Sequence, residues 1–127
     1  MNIVPRAFPL TPDIGAEIDG IDLSKKLDAG TVRFIREALL KYLVIFFRDQ
    51  ALTLEQHKNF GRYFGELDVH PAAGLKDHPE IFVVHADEHS THIAGEDWHS
   101  DVTCDQNPPM ASILRLYHVP TLSLIHI

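Results

Sequence analysis

The sequence predicts an α+β fold, on three observations. Two segments in the first half carry helix signals: an apolar stripe behind a side-chain cap, and a capping box. Short runs rich in β-branched and aromatic residues, cut by eight prolines and seven glycines, recur along the chain as strands. With 127 residues and 45% hydrophobic content, there is room for one domain with a core of ordinary size and for no second.

In chain order, Ile3 to Phe8 and Ala16 to Ile21 read as short strands. Pro5, Pro9, Pro12, Gly15 and Gly20 break them into turns, so they suit an outer sheet edge. From about Asp28 a helix begins, with Asp28 as its cap and Val32, Ile35, Leu39 and Leu43 as the stripe facing a core. Arg33, Arg36 and Glu37 form its polar face. The apolar run Leu43 to Phe47 suits a strand covered on both faces, ended by Arg48-Asp49-Gln50. Thr53-Leu54-Glu55-Gln56 has the Thr-x-x-Gln form of a capping box and starts a second helix through Phe60 and Phe64, which Gly65 terminates. Glu66 to Pro79 loosens into Pro, Gly, Ala and charged residues, a surface loop of the kind that carries binding groups. Ile81 to His85 is the next strand, Ala86 to Glu96 a polar loop, and the segment bearing His99 and Asp101 a further strand. Ser112 to Tyr117 is the last.

Eleven basic against eighteen acidic residues give a formal charge of −7. That balance, with no basic run interleaved with aromatics, argues against nucleic acid as a partner. No apolar run approaches the ~20 residues of a membrane helix. The lone Cys104 has no internal disulfide partner and no signal-like segment opens the chain, which makes a reducing cytoplasm the simplest expectation.

The chemistry concentrates in Glu96-Asp97-Trp98-His99-Ser100-Asp101-Val102-Thr103. On a strand, residues two apart point to one face, so His99 and Asp101 would offer a metal an imidazole and a carboxylate together. Such a pair, completed by a distant His, makes the facial triad that leaves positions open on non-haem Fe(II). Binding needs Asp101 ionised and His99 neutral, so affinity should fall as pH drops through the imidazole pKa of ~6.5. The bare triplet carries little information, since His85-Ala86-Asp87 repeats it. What separates the two is context: Trp98 before the first pair, and then Pro108-Pro109-Met110-Ala111-Ser112-Ile113-Leu114-Arg115 with Val119-Pro120 beyond.

That string resembles the taurine dioxygenase (TauD/TfdA) family of Fe(II)- and 2-oxoglutarate-dependent oxygenases. Three earlier stretches support the resemblance: Ile14 to Leu23, Val44 to Gln50, and Phe60-Gly61-Arg62-Tyr63-Phe64-Gly65. Together they carry the similarity over about residues 8 to 120. The resemblance implies a double-stranded β-helix, or jelly roll, with flanking helices. It implies Fe(II) held by His99 and Asp101, with 2-oxoglutarate as cosubstrate and O2 as oxidant. The reaction implied is hydroxylation of a small, anionic substrate such as taurine or another sulfonate or sulfate ester. No nucleic acid or membrane partner is implied, and a homo-oligomer of the full-length protein is compatible with it. His70 matches a position where taurine-like members contact the anionic head of the substrate. Two departures point away from taurine itself: Ala73 stands where the family has a tyrosine, and Gly95 where it has an asparagine. A different or bulkier substrate is therefore expected.

The resemblance also implies what should follow. Family members continue into a Gly-Gly-Asp-Thr segment, a distal iron-binding His and an Arg for 2-oxoglutarate, none of which occurs here. Residues 1–120 are therefore read as the N-terminal portion of such a domain. Thr121 to Ile127 does not continue the pattern and reads as a junction or foreign sequence. The expectation is an incomplete fragment, inactive alone, with open sheet edges that favour aggregation. His118 and His126 are poor candidates for the third ligand, one adjoining Pro120 and the other lying in the atypical tail.

The remaining candidates have plainer readings. Trp98 should face away from the ligand pair and pack. His85, His89 and His92 with Asp87 and Glu88 read as a solvated loop, because neither a His-Glu-x-x-His nor a Cys-pair spacing is present. His57 reads as a helix packing residue, and Cys104 as a small packing residue exposed to oxidation near iron. The alternative function is a non-enzymatic metal-binding or interaction protein with a degenerate barrel. A hydrolytic zinc enzyme using the same pair lacks a base motif.

Overall fold

A computed structural model of the chain describes residues 4–69, 74–87, 89–91 and 97–118. Among these residues, two helices and five short strands bear out the α+β expectation. Strand β1 (Arg6–Pro9) pairs antiparallel with β2 (Ala16–Asp19), and β2 pairs parallel with β3 (Ile45–Phe47). Parallel neighbours need a long crossover, and helix α1 (Ala29–Tyr42) provides it between β2 and β3. Helix α2 (Leu54–Gly61) follows, then a hairpin of β4 (Gly74–Leu75) and β5 (His78–Phe82).

The outer-edge expectation fits β1 but not β2, which is the central strand of the order β1-β2-β3. Its side chains alternate, with Ala16 and Ile18 buried and Asp19 exposed. It stops at Asp19 rather than Ile21 because Gly20 turns away at φ +80° and its N–H is taken by the Asp19 carboxylate at 2.7 Å.

Helix α1 begins where its cap predicts: Asp28 Oδ1 accepts from the N–H groups of Gly30 and Thr31 at 2.8 and 3.0 Å. Its buried line differs from the expected stripe. Ile35 and Ala38 are buried, with Phe34 and Tyr42 packed beside them, whereas Leu43 is the C-cap at φ +66° and is exposed. Once Leu43 leaves the helix it no longer follows helical periodicity. The run through Phe47 was expected to be covered on both faces, but β3 has one covered face: Ile45 and Phe47 pack on the core while Phe46 points outward. Among the described residues it is an end strand, hydrogen-bonded to β2 alone.

The capping box of α2 is complete, with Gln56 N–H to Thr53 Oγ1 at 3.2 Å and Thr53 N–H to Gln56 Oε1 at 2.8 Å. The helix ends a turn early, at Gly61, and Phe64 lies in the tighter turn that follows, its N–H on the Gly61 carbonyl at 2.9 Å. Phe64 still reaches Phe60, edge to face at 5.4 Å, and Phe60 meets Phe47 likewise at 5.6 Å. The stretch read as a loop up to Pro79 contains the hairpin, so the strand begins at His78 and ends at Phe82 rather than spanning Ile81 to His85. A proline is tolerated in β5 because its pairing is one-sided.

Two expected strands are absent. The segment bearing His99 and Asp101 is a series of bends and turns, and Ser112 to Tyr117 is irregular. Neither belongs to the two sheets, and a strand without a ladder partner has no backbone bonds to hold it. The described residues accordingly do not form a jelly roll. Their core is Ile18, Ile21, Leu23, Ile35, Ala38 and Phe60, and every buried described residue lies between Gly15 and Gly61. Ile35→Ala should therefore cost about 2–5 kcal/mol. Leu114→Ala, at an exposed site, should stay within about 0.5 kcal/mol. Urea unfolding of both variants checks this, and equal losses would place the core elsewhere.

Candidate metal centre

The pair that the sequence singles out is brought together by a local turn. Val102 adopts φ +48°, Asp105 N–H reaches the Val102 carbonyl at 3.3 Å, and the Ser100 and Thr103 hydroxyls lie 2.6 Å apart. Within this turn His99 Nε2 stands 3.1 Å from Asp101 Oδ1, both side chains about half exposed. The other ring nitrogen, Nδ1, lies 2.7 Å from the Asp97 carbonyl. A carbonyl only accepts, so the Nδ1 proton is fixed there and the Nε2 lone pair is the one left for a metal. This anchor was not read from the sequence, although Asp97 stands two residues before His99 and such short backbone bonds are typical of turns.

The donor set suits a transition metal as far as it goes. First-row ions bind imidazole nitrogen and carboxylate oxygen at about 2.0–2.2 Å, which sets adjacent donors about 3 Å apart. His99 Nε2 and Asp101 Oδ1 already stand near that separation. They are two donors, and no group of three His, Cys, Asp or Glu suited to a metal occurs among the described residues. When protonated, the imidazole donates from Nε2 to the Asp101 carboxylate. The Asp97 carbonyl first, and the Asp101 carboxylate after it, hold the His99 imidazole above its ordinary pKa.

The other candidates are scattered. His70, matched to substrate binding, lies outside the described residues, as do Ala73, Glu88, His92, Gly95 and His126. Trp98 does not pack but is fully exposed, because the turn that replaces the expected strand gives it no inner face. Cys104 is likewise exposed rather than packed. His85 Nε2 meets Asp87 Oδ2 at 3.3 Å, but the Asp87 carboxylate is already engaged by the His89 N–H and the Ser90 hydroxyl, both at 3.0 Å, which hold its pKa low. That is a self-satisfied surface turn, as expected. His57 is half-buried on α2, and burial holds its pKa down while the Ile113 backbone partly opposes it, in keeping with a packing role. His118 is exposed. An open depression of about 570 Å3 bounded by Arg62, Gly65, Glu66, Leu67, Val69 and Glu80 includes neither His99 nor Asp101. Among the described residues no helix is long and apolar enough to cross a membrane.

Charged contacts seat the second half of the chain on α2. Lys58, buried, pairs with Glu55 at 2.8 Å and with Glu80 of β5 at 3.4 Å. Arg115 donates to the Leu52 carbonyl just before α2, and its guanidinium lies 4.3 Å from the Tyr117 ring centre.

A family model described as taurine catabolism dioxygenase TauD, TfdA family matches residues 6–122. The chain is 41% identical over 112 residues to an alkylsulfatase of Acinetobacter baylyi, covering 87% of this chain and 35% of that protein. It is 39% identical over 113 residues to an alpha-ketoglutarate-dependent sulfate ester dioxygenase of Pseudomonas putida, covering 88% and 37% respectively. In structure it is similar to a taurine dioxygenase from Burkholderia xenovorans, with a TM-score of 0.66 and 44% identity over 83% of this chain and 37% of that one. The chain thus spans little more than a third of the length of these relatives.

The raised His99 pKa has a definite sign. The ion pair with Asp101 is fully present below the ordinary imidazole value of ~6.5 and is lost as pH rises through the raised one. A metal needs the same Nε2 atom, so acid should weaken metal binding beginning above pH ~6.5. In an NMR titration of the His99 ring, the midpoint should lie above ~6.5. Asp101→Asn should lower it only in part, since the Asp97 carbonyl remains. A midpoint that Asp101→Asn leaves unmoved would remove the pairing.

Proposed function

The chain belongs to the taurine catabolism dioxygenase TauD, TfdA family, and on that premise we propose that it forms the metal-capturing part of an Fe(II)- and 2-oxoglutarate-dependent dioxygenase acting on a sulfate ester. The observation that carries the reading is the His99–Asp101 pair, poised at 3.1 Å with its tautomer set by Asp97. The three-stranded sheet and the hairpin are then outer parts of a double-stranded β-helix whose remaining strands close the barrel.

Each residue of the turn has a task. The Asp97 carbonyl keeps the imidazole from rotating and keeps Nε2 free of its own proton once Asp101 is relieved of the ion pair. Asp101 would contribute the anionic oxygen and His99 Nε2 the neutral nitrogen, so holding a cation there would require the imidazole to be deprotonated at Nε2. Bound Fe(II), with 2-oxoglutarate and O2, supplies the oxidising power to hydroxylate a C–H bond. His70 is assigned to the anionic head of the substrate on the family match alone.

A sulfate ester is favoured over taurine because two relatives at 41% and 39% identity are named for alkyl sulfates or sulfate esters. The departures at Ala73 and Gly95 from the taurine pattern point the same way. Hydroxylation of the carbon that bears the sulfate oxygen gives a hemiacetal sulfate, which breaks its C–O bond to leave an aldehyde and free sulfate.

The test uses a polypeptide of family length that begins with this sequence. With an alkyl sulfate, Fe(II) and O2, succinate formed from 2-oxoglutarate should match sulfate released, and a chelator should stop both. His99→Ala and Asp101→Ala should each abolish turnover while the circular dichroism spectrum is retained. Turnover that survives either substitution, or succinate formed with taurine but not with alkyl sulfates, would overturn the corresponding part of the reading.

A further inference from the structure

The loop between β2 and α1 is fastened against the α2 region. Gln56 Nε2 donates to the Ser24 carbonyl at 3.1 Å, Tyr63 Oη accepts from the Leu27 N–H at 2.9 Å, and Gln50 Oε1 accepts from the Leu23 N–H at 2.9 Å. Asp22 closes the loop on itself, accepting from the Ser24 N–H at 3.0 Å and pairing with Lys25 at 2.9 Å. Between loop and helix lies a cleft of about 360 Å3, a size suited to a small ligand. The loop contributes Lys25 and Lys26 to it, while α2 and the turn that follows contribute Asn59, Arg62 and Tyr63. No described carboxylate lines the cleft, although the chain has eighteen acidic residues and a formal charge of −7.

What these lining groups have left to offer is donors. The Asn59 amide oxygen accepts from Arg62 Nη1 at 2.6 Å, which leaves the amide N–H groups. The Tyr63 oxygen accepts from Leu27, which leaves its own proton. Glu55 and Glu80 stand 3.8 and 3.9 Å from Arg62, near enough to offset part of its charge and too far to hydrogen-bond it. Lys26 has no ion-pair partner among the described residues. Ammonium and guanidinium groups hold no acceptor, so a cleft whose acceptors are spent within the protein is complementary to an anion rich in acceptors. We infer that the cleft binds a small tetrahedral oxyanion, sulfate or phosphate, in its dianionic form. A planar carboxylate presents one charge and one plane of lone pairs. A tetrahedral dianion presents acceptors to the loop and to the helix at once, the guanidinium gripping two oxygens and the ammonium groups meeting the others. Because the loop is fastened without the ion, little ordering opposes binding. His99 and Asp101 do not line the cleft, and the inference does not rest on the proposed function.

The test is an NMR titration of the isotope-labelled 127-residue chain with sodium sulfate, sodium phosphate and a short alkyl sulfate, at constant ionic strength set by sodium chloride. Sulfate should move the backbone amides of Ser24 to Lys26 and the side-chain amide of Asn59 along one saturating curve. Lys26→Ala, at an exposed position, should weaken the affinity about tenfold. Asn59→Asp keeps an oxygen for Arg62 but sets a carboxylate in the cleft, and should abolish binding. Lys41→Ala removes an exposed cation of α1 outside the cleft and should change nothing. The dispersion of the spectrum reports whether each variant is folded. The unsubstituted chain alone can overturn the site, if its shifts rise without saturating or are centred elsewhere. Binding that survives Asn59→Asp, or that Lys41→Ala weakens as much as Lys26→Ala does, also overturns it and leaves only general charge attraction. The free dianions should bind more tightly than the alkyl sulfate, which carries one charge and one blocked oxygen. Tighter binding of the alkyl sulfate would overturn the free-ion assignment and make the ester head the occupant.

Discussion

One turn of helix, Lys58 to Gly61, is what the rest of the structure hangs on. Phe60 points inward and meets Phe47 of β3 and Phe64 beyond the helix, both edge to face, joining sheet and helix in one aromatic contact. Lys58 points the other way and is nevertheless buried, its charge matched by Glu55 and Glu80. A buried ammonium is tolerable only with such partners, so Lys58 fixes where β5 lies relative to α2. Gly61 completes the turn. A Cβ there would stand 2.7 Å from Leu67 and 3.6 Å from Ile113, so the missing side chain lets the later segment approach.

The consequence is a division of labour between core and site. The first half builds a small core from β2, α1, β3 and α2, and the second half borrows rigidity from α2 through Lys58, Arg62 and Arg115. The His99–Asp101 turn sits in the borrowed half, held by bonds that begin and end within a few residues. Local bonds place two donors at a useful separation but do not exclude water, and half-exposed ligands compete with solvent for their metal. Preorganisation is present and desolvation is not, and the two are physically separate requirements of a metal centre.

The sequence was most legible where structure is local. Asp28 and Thr53 announced both helix starts because a cap is satisfied by N–H groups two or three residues away. Helix ends were less legible, since Leu43 and Phe64 are apolar at plausible spacing and yet lie outside their helices. The pairing of His99 with Asp101 was anticipated on strand geometry and is delivered by a turn, so the contact was legible and its cause was not. Trp98 and Cys104 were misread for the same reason, because their packing depended on that strand. The hairpin at Gly74 to Phe82 was hidden by Pro79 and by a loop-like composition.

A helix stores its hydrogen bonds within itself, whereas a strand is defined by a neighbour that its own residues cannot specify. The runs at Ile81 to His85 and Ser112 to Tyr117 have the composition of strands, and in these described residues only the first pairs, and then partly. Composition thus records a potential that needs a partner edge to be realised. The same holds for the metal pair, where two donors of the right kind and separation record a potential that a third donor must complete. Unpaired strands and unmatched ligands flank one another in this half of the chain. A ladder partner for Ser112 to Tyr117 and a third donor for His99 and Asp101 are both lacking among the described residues.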